Sequence, residues 1–348
     1  MHIRILFSAL ALCAIAVFVL STSFSEPSAR RAAGALRGER RLEAEALDEY
    51  DVTYVSQTSM ERFFYLVYLQ ERWKGPISIA LYLNQDDWEH YNDVKREYGL
   101  EGRVSIVLRM QTEDGFYPIN ELRNLAIRYS TTSHFFLSDM DMWPSFELYE
   151  ALKALPSFIL QDDFFSGIVP AFEVKKPECD SIEKCVEKVA PMLPRTKPEL
   201  IACLKSKMCS LYRENKSTHN YLYEKWFLSD CPYHYSLVPC WFNYIQEPYV
   251  VVKKSAFLPA FDERFVNYGF NKITWLHHLI RRGYYFGVIS RGFVMDIPHP
   301  ESILRKKYVD EWNSKRGSSM LQMYETFMAE LEKEPDNTAV PICPNTNS

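Results

Sequence analysis

Apolar runs alternate with amphipathic segments between residues 51 and 155. Three of the runs have the length of a buried strand, at 77–83, 104–108 and 134–138, and a short β-branched strand that ends in small polar residues is predicted at 51–59. Between and after them lie segments with apolar side chains every three or four residues, as on one face of an α-helix, at 59–68, 86–98, 120–129 and 145–155. Asn120 and Ser145 stand where they could cap two of these helices. Strands and helices that alternate over short connections predict an α/β fold, with a single mixed, mostly parallel sheet flanked by helices.

The pattern after residue 155 is less regular. Strands are predicted at 164–174, 248–252 and 284–289, a polar and aromatic loop at 261–272, and helices at 273–281 and 302–334. Residues 175–240 are rich in Lys, Pro and Cys and are predicted to leave the sheet. We therefore expect one domain over 51–334, with that excursion inside it, and a disordered tail over 335–348.

The N-terminus carries an apolar run of 16 residues, 5–20. That length lies between the core of a signal peptide and a full membrane span, so residues 1–20 are predicted to form a signal anchor or a cleaved signal peptide. Five arginines follow between residues 30 and 41, which does not favour an anchor with its N-terminus in the cytosol. Residues 21–50 are expected to form a stem. The expectation is a single-pass type II protein of the Golgi membrane with a lumenal domain, or a secreted protein after cleavage.

Cysteine usage agrees with an oxidising compartment. Six of the eight cysteines lie between residues 179 and 240, and no Cys-x-x-Cys pair is present, which argues against a zinc ribbon or a thioredoxin-like site. One or more disulfides are expected in that region, with the pairing left open. Asn215 begins an Asn-Lys-Ser sequon, which would be glycosylated if the domain is lumenal.

Composition and charge narrow the functional classes. Hydrophobic residues make up 47% and charged residues 24% of the chain, as in a globular domain, and the net charge of −5 gives no electrostatic argument for nucleic acid. Neither a Gly-x-Gly-x-x-Gly fingerprint nor a P-loop is present. A nucleotide bound here would therefore depend on a metal ion to neutralise its phosphates.

Two carboxylates follow the apolar run 134–138. Asp139 and Asp141 are one residue apart, so on extended backbone their side chains share a face and could bind the same cation. Carboxylate oxygens are hard ligands that suit Mg²⁺ or Mn²⁺. An Asp-x-Asp pair is weak evidence alone, but this one comes at the end of a predicted strand, where open α/β sheets bind ligands.

Seven blocks of sequence in this order resemble the LARGE-type glycosyltransferases (glycosyltransferase family 49), which include the glucuronyltransferase half of LARGE and a β-1,4-glucuronyltransferase. The blocks are SMER at 59–62, GPISIALYL at 75–83, YPINELRNLA at 117–126, FLSDMD at 136–141, RTKPEL at 195–200, EPYVVV at 247–252 and the loop 262–272. The resemblance implies a GT-A-type fold and an enzyme that transfers a sugar, by its nearest relatives glucuronic acid, from a UDP-sugar to a glycan on a glycoprotein. It also implies Mn²⁺ or Mg²⁺ as cofactor, inversion at the anomeric carbon and the absence of the xylosyltransferase half of LARGE.

The same resemblance implies roles for the metal-binding residues. Asp139 and Asp141 match the family's metal-binding pair. The family's third ligand is a His, and here Asp296 stands in its place, with His299 three residues on as the other candidate. This departure leaves the third ligand open. It also motivates the alternative of a catalytically silent member that acts as a glycan-binding or partner-stabilising subunit.

Further site residues follow from matching blocks, each with an alternative. Asp262 is the first choice for the general base, with Glu263 beside it, unless Asp262 caps the loop or pairs with Arg264. The residues expected to meet the nucleotide or the donor sugar are Gln57, Thr58, Ser59, Arg123, Asn124, Asn271 and Lys272. The first three could serve only as a helix cap, and the Arg123-Asn124 pair could bind nearby carboxylates. Lys272 could meet the carboxylate of a uronic acid or be solvated.

Overall fold

The computed structural model describes residues 50–344 except 101, 114, 176–178, 215–217, 220–222, 230, 232 and 315–318. The predicted signal segment, all of the predicted stem but residue 50, the sequon at Asn215 and the last four residues of the tail therefore lie outside the described residues. Within them, no helix is both long and apolar enough to cross a membrane.

Twelve strands and eleven α-helices are described. The strands are β1 Val52–Ser59, β2 Ile77–Leu83, β3 Val104–Met110, β4 His134–Leu137, β5 Met142–Pro144, β6 Phe165–Val169, β7 Ala171–Val174, β8 Cys209–Leu211, β9 Tyr235–Leu237, β10 Tyr249–Lys253, β11 Tyr285–Ile289 and β12 Val294–Asp296. The helices are α1 Tyr65–Arg72, α2 Asp87–Glu97, α3 Ile119–Tyr129, α4 Leu148–Lys153, α5 Ser157–Gln161, α6 Ile182–Val189, α7 Lys197–Lys205, α8 Tyr223–Leu228, α9 Asn271–Arg281, α10 Ile303–Asn313 and α11 Ser319–Leu331.

Eight strands form the large sheet, in the order β3-β2-β1-β4-β10-β6-β11-β9. The pairs β1/β2, β2/β3, β1/β4 and β6/β11 are parallel, whereas β10 runs antiparallel to β4 and β6, and β9 antiparallel to β11. Every residue of β2 is buried, as expected for a strand covered on both faces. The predicted α/β class with a mixed sheet and flanking helices is confirmed.

A second sheet of four strands, in the order β5-β12-β7-β8, was not predicted. Three of these strands have only three residues, too few for a periodic pattern. The chain passes from the large sheet to the small one at Pro170, between β6 and β7. The predicted departure of residues 175–240 from the sheet is wrong in part, because β8 joins the small sheet and β9 forms an edge of the large one.

Both predicted helix caps are wrong. Asn120 lies inside α3, where its side chain donates to the carbonyl of Asp262 at 2.8 Å. The Ser145 hydroxyl instead accepts a hydrogen bond from the amide of Phe293 at 3.2 Å. These two polar side chains tie distant segments together. The helix predicted from Ser59 begins as a 3₁₀ turn, Met60–Arg62, before α1.

The prediction of a disordered tail is wrong for its described part, residues 335–344. Cys343 forms a disulfide with Cys240, and its amide donates to the carbonyl of Trp241 at 2.8 Å. The polar composition of the tail concealed this covalent attachment. Two shorter disulfides, Cys179–Cys185 and Cys203–Cys209, confirm the prediction of disulfides between residues 179 and 240.

Candidate functional site

Asp139 and Asp141 lie in a tight turn between β4 and β5. The amide of Met142 donates to the carbonyl of Asp139 at 3.0 Å, and the hydroxyl of Tyr54 donates to the carbonyls of Asp139 and Met142, both at 3.1 Å. Tyr54 belongs to β1 and is fully buried, so it ties the turn to the core of the large sheet. The predicted extended backbone at these residues is wrong, and the two carboxylates meet different partners.

The carboxylate of Asp139 is bound on both oxygens. Arg123 donates to Oδ1 at 3.1 Å, while Lys272 at 2.8 Å and the hydroxyl of Tyr249 at 3.1 Å donate to Oδ2. Burial raises the pKa of Asp139, but the charges and hydrogen bonds of Lys272 and Arg123 outweigh it and hold that pKa well below its usual range. Asp139 is therefore ionised and held in one orientation.

The carboxylate of Asp141 has a separate set of partners. Arg62 donates to its Oδ2 at 2.7 Å, and Nε2 of His299 lies 3.3 Å from the same oxygen. Burial again raises the pKa, but the hydrogen bond from His299 and the charge of Arg62 lower it more. Arg62 also contacts Nδ1 of His299 at 3.3 Å, so these three side chains form a connected group.

Asp296 lies beside this group at the end of β12. It is in register with Met142 of β5, and the next amide, that of Ile297, donates to the carbonyl of Asp141 at 2.8 Å. Burial and the negative charge of Asp141 raise the pKa of Asp296 well above its usual range. A cavity of about 430 Å³ adjoins these residues, lined by Glu173, Val174, Lys175, Lys207, Met208, Cys209, Ser210, Asp296, Pro298 and His299.

The donor chemistry of Asp141, Asp296 and His299 fits a divalent cation. Two carboxylates and an imidazole suit Mn²⁺ or Mg²⁺, and the raised pKa of Asp296 marks a place where negative charge lacks compensation. As the side chains stand, no three His, Cys, Asp or Glu residues of the described chain are grouped closely enough to hold a metal ion. Asp139 is the least available of the predicted ligands, because cations already bind both of its oxygens.

The residues expected to meet a nucleotide lie at the end of β1. The side-chain oxygen of Gln57 accepts a hydrogen bond from the hydroxyl of Tyr117, and Thr58 donates to the carbonyl of Ser59 at 3.1 Å. Ser59 precedes the 3₁₀ turn, yet its side chain makes no capping hydrogen bond. The capping alternative is therefore not what Ser59 does here, and its contact with a nucleotide stays a prediction.

The neighbours Arg123 and Asn124 on α3 have different roles. Arg123 reaches the carboxylate turn and also donates to Oδ1 of Asn271 at 2.9 Å. Asn124 donates to the carbonyl of Phe261 at 2.9 Å and to the carboxylate of Glu263 at 2.8 Å. The structure thus brings Arg123, Asn271 and Lys272 together at the site, whereas Asn124 holds the loop after residue 260 against α3.

The two candidate bases are engaged in other contacts. The carboxylate of Asp262 accepts hydrogen bonds from the guanidinium of Arg264, at 3.0 Å from Nε and 2.6 Å from Nη2, and Arg264 also pairs with Glu330. Glu263 binds Asn124. For Asp262, both alternatives are found in the structure, because its Oδ1 also accepts a hydrogen bond from the amide of Arg264 at 2.9 Å and so caps the loop.

Two site residues were missed although both lie in the blocks that carried the resemblance. Arg62 follows β1 by three residues, and Tyr249 opens β10, which pairs antiparallel with β4. A cation just after a strand end could have been read as a partner for the carboxylates of the next parallel strand. Nothing in the local pattern marked Tyr249, because its contact with Asp139 depends on which strand lies beside β4.

Comparisons with known proteins cover most of the chain. A family model described as "Glycosyl-transferase for dystroglycan" matches residues 51–98 and 103–334. The xylosyl- and glucuronyltransferase LARGE1 of Homo sapiens is 31% identical over 265 residues, which are 74% of this chain and 32% of that protein. The xylosyl- and glucuronyltransferase LARGE2 of Mus musculus is 30% identical over 261 residues, 73% of this chain and 35% of that protein. The chain thus spans about a third of the length of these curated relatives.

Solved structures with similar folds have low sequence identity. Residues 1–349 of TarS from S. aureus are 11% identical, with a TM-score of 0.43 over 81% of this chain and 70% of that chain. GalNAc-T7 with UDP, GalNAc and Mn²⁺ is 9% identical, with a TM-score of 0.45 over 82% of this chain and 55% of that chain.

Proposed function

Because the chain belongs to the glycosyltransferase family described as the glycosyl-transferase for dystroglycan, we propose that it transfers a sugar from a UDP-sugar to a glycan by a metal-dependent, inverting mechanism on a GT-A-type fold. The observation that carries the proposal is the carboxylate turn and the cations around it. Arg62, Arg123 and Lys272 face Asp139 and Asp141, so three positive side chains meet two negative ones. Such a site attracts the diphosphate of a nucleotide sugar.

In the proposed reaction, a hydroxyl oxygen of the glycan forms a bond to the anomeric carbon of the donor sugar. The bond from that carbon to the β-phosphate oxygen breaks, its electron pair leaves with UDP, and the hydroxyl proton passes to a base or to water. Arg62, Arg123 and Lys272 stabilise the charge that develops on the diphosphate. A bound Mn²⁺ or Mg²⁺ would add positive charge at the leaving group, and Asp141, Asp296 and His299 are the residues that would hold it.

Glucuronic acid is the donor sugar that we propose. The curated relatives are named for xylosyl and glucuronyl transfer, and this chain covers only about a third of their length. The acceptor is proposed to be a glycan carried on a glycoprotein.

The proposed location is the lumen of the secretory pathway, with the domain anchored in the Golgi membrane by residues 1–20 or secreted after their cleavage. Three disulfides among the described residues support an oxidising compartment. Fractionation of cells that express the full chain, with protease protection of the domain, tests this proposal. A cytosolic domain with reduced cysteines would contradict it.

UDP release tests the proposed activity. The domain from residue 48 onward is incubated with a panel of UDP-sugars and Mn²⁺, in the wild type, in Asp141→Asn and in Asp163→Asn. Asp163 pairs with Lys253 and serves as a matched control outside the site. We expect release by the wild type and the control, and a loss of roughly 100-fold in Asp141→Asn, the size typical of removing one electrostatic group from a catalytic site. If the wild type showed no turnover and no metal-dependent binding of UDP, the proposal would be rejected.

A second candidate is a catalytically silent member of the family that binds glycans or stabilises a partner. It is favoured by Asp296 in the place of the family's His, and by the lack of a ready three-ligand cluster among the side chains that the structure describes. This candidate predicts glycan binding that persists after Asp139→Asn and Asp141→Asn are combined.

A further inference from the structure

Arg213, just after β8, has an unusual backbone conformation. Its φ of 49° lies in the left-handed region, which side chains larger than glycine rarely adopt. Two contacts hold it there: the amide of Arg213 donates to Oε2 of Glu173 at 3.3 Å, and the preceding amide, that of Tyr212, donates to the carbonyl of Ala171 at 3.1 Å. Backbone strain of this kind persists only where the surroundings enforce it, and it concentrates at functional sites.

The guanidinium of Arg213 is oriented but loosely bound. Its Cζ lies over the ring of Tyr212, 5.0 Å from the centroid, within the range of a cation–π contact. Its contacts with Oε2 of Glu247 and with the hydroxyl of Tyr268 are both 3.5 Å long, the outer limit of a hydrogen bond. The three cations at the carboxylate turn, in contrast, lie within 3.1 Å of their carboxylates.

Two aromatic rings connect Arg213 to the carboxylate turn. The ring of Tyr212 lies 6.3 Å from that of Tyr249, whose hydroxyl binds Asp139. Lys272 lies over the other end of this pair, 4.2 Å from the centroid of the Tyr249 ring. Arg213 and Lys272 are therefore two cations at opposite ends of one aromatic pair beside the site.

The strands of the small sheet also place Arg213 near the site. Glu173, which accepts the hydrogen bond from the amide of Arg213, is in register with Asp296 on the neighbouring strand. Arg213 thus faces the same region as the carboxylates without being committed to Asp139 or Asp141.

We propose that Arg213 determines donor specificity by binding the carboxylate of a uronic acid in the donor sugar. The inference rests on the proposed function. A guanidinium presents a planar fork of donors that matches a carboxylate with two parallel hydrogen bonds, and the contact with the ring of Tyr212 keeps the guanidinium of Arg213 beside the site. Lys272, which the sequence analysis offered as the partner of that carboxylate, already donates to Asp139. A neutral hexose would leave Arg213 with only its long contacts.

A comparison of two donor sugars tests the inference. The value of kcat/KM is measured for UDP-glucuronic acid and UDP-glucose in the wild type, Arg213→Met and Arg213→Lys, with UDP affinity measured by calorimetry. Arg282→Met is the matched control, since Arg282 forms an exposed ion pair with Glu334 at the far end of α9. We expect Arg213→Met to lower kcat/KM for UDP-glucuronic acid roughly 10- to 100-fold, with less effect on UDP-glucose. Arg213→Lys should be intermediate, and Arg282→Met should be unchanged.

Several results would overturn the inference. An equal loss for both donors would assign Arg213 to the acceptor or to the fold, and a parallel loss of UDP affinity would assign it to the diphosphate. If Glu247→Gln reproduced the kinetics and the Tm of Arg213→Met, the pair would be structural. Arg213→Gly removes the side chain while relaxing the left-handed backbone, so it keeps the test valid if Arg213→Met does not fold.

Failure of the proposed function has a different signature. If the wild type transfers no sugar, calorimetry still compares UDP-glucuronic acid with UDP-glucose. A preference of the wild type for the uronic acid that disappears in Arg213→Met would support the inference without catalysis. The absence of such a preference would reject it.

Discussion

Nζ of Lys272 lies 2.8 Å from Oδ2 of Asp139, although 133 residues separate the two in the chain. Lys272 belongs to the first turn of α9, and Asp139 follows β4. This ion pair joins the loop that carries Asp262 and Glu263 to the turn that carries the carboxylates. A diphosphate that binds beside this turn must therefore share Lys272 with Asp139, and a cation that binds Oδ2 of Asp139 must displace Lys272.

Replacing Lys272 by Met should lower the free energy of unfolding by about 1–3 kcal/mol, because Asp139 would keep Arg123 and Tyr249 but lose its closest charge. Urea denaturation at pH 7 measures the effect. Lys184→Met is the control, since that lysine forms an exposed ion pair with Asp180, and losing a solvent-screened pair should leave stability almost unchanged. Equal losses in the two variants would contradict the prediction.

His134, at the start of β4, should make stability depend on pH. Burial, assisted by the charge of Lys253, lowers the pKa of His134 to about 4. An unfolded histidine has a pKa near 6.5, so between these values the unfolded chain binds a proton that the folded chain does not. The stabilisation is therefore complete above about pH 6.5 and is lost as the pH falls toward about 4.

Comparison with His134→Gln isolates this contribution. Between pH 7.5 and pH 5.0 the wild type should lose about 2 kcal/mol more unfolding free energy than the variant, because carboxylates elsewhere titrate in both proteins. Urea denaturation at the two pH values supplies the difference. Identical losses would show that His134 does not stay neutral in the folded chain.

The disulfide between Cys240 and Cys343 should stabilise the chain more than the one between Cys179 and Cys185. The first closes a segment of 103 residues and the second one of 6. In the chain-entropy model these correspond to about 5 and about 2 kcal/mol. Thermal unfolding of the two double Cys→Ser variants should show the larger fall in Tm for the long loop. The reverse order would indicate that residual structure in the unfolded chain dominates.

Mn²⁺ should raise the Tm of the wild type without any donor present. At 100 times its Kd the ion should add about 2.7 kcal/mol to the unfolding free energy. Asp141→Asn and Asp296→Asn should lose most of this shift, whereas Asp296→His should keep it because an imidazole is also a ligand. Asp163→Asn should behave as the wild type. A shift that survives in all variants would place the ion elsewhere.

The long elements of the fold could be predicted from the sequence because local pattern determines them. The runs that became β2 and β4 are largely apolar, the one that became β1 is rich in β-branched residues, and α3 buries Leu122 and Ala126 on one face. The small sheet could not be predicted, since its strands exist only through pairing with partners distant in the chain. For example, β12 pairs with β5 and β7, and both of these strands precede it in the chain by more than 100 residues.

In the site, too, some features follow from the local sequence and others from contacts between distant segments. The position of Asp139 and Asp141 followed from a local motif, but their partners are set by tertiary structure. Asp262 shows most clearly what a motif cannot predict. It pairs with Arg264, and Arg264 also pairs with Glu330 of α11, which is distant in the chain. A motif identifies which residue type can act as a base, whereas the fold decides whether its carboxylate is engaged elsewhere.

Pro170, between β6 and β7, has a mechanical consequence. Its carbonyl accepts the amide of Val294 at 2.9 Å, so β12 is fastened to the crossing point of the two sheets. β12 also pairs with β5, which places Asp296 directly opposite Met142, the residue after Asp141. This pairing, together with the hydrogen bond from the amide of Ile297 to the carbonyl of Asp141, therefore holds the backbones of the two carboxylate residues next to each other. His299 lies three residues beyond β12 and is outside this pairing, so its distance from the two carboxylates depends on its side-chain contacts with Asp141 and Arg62.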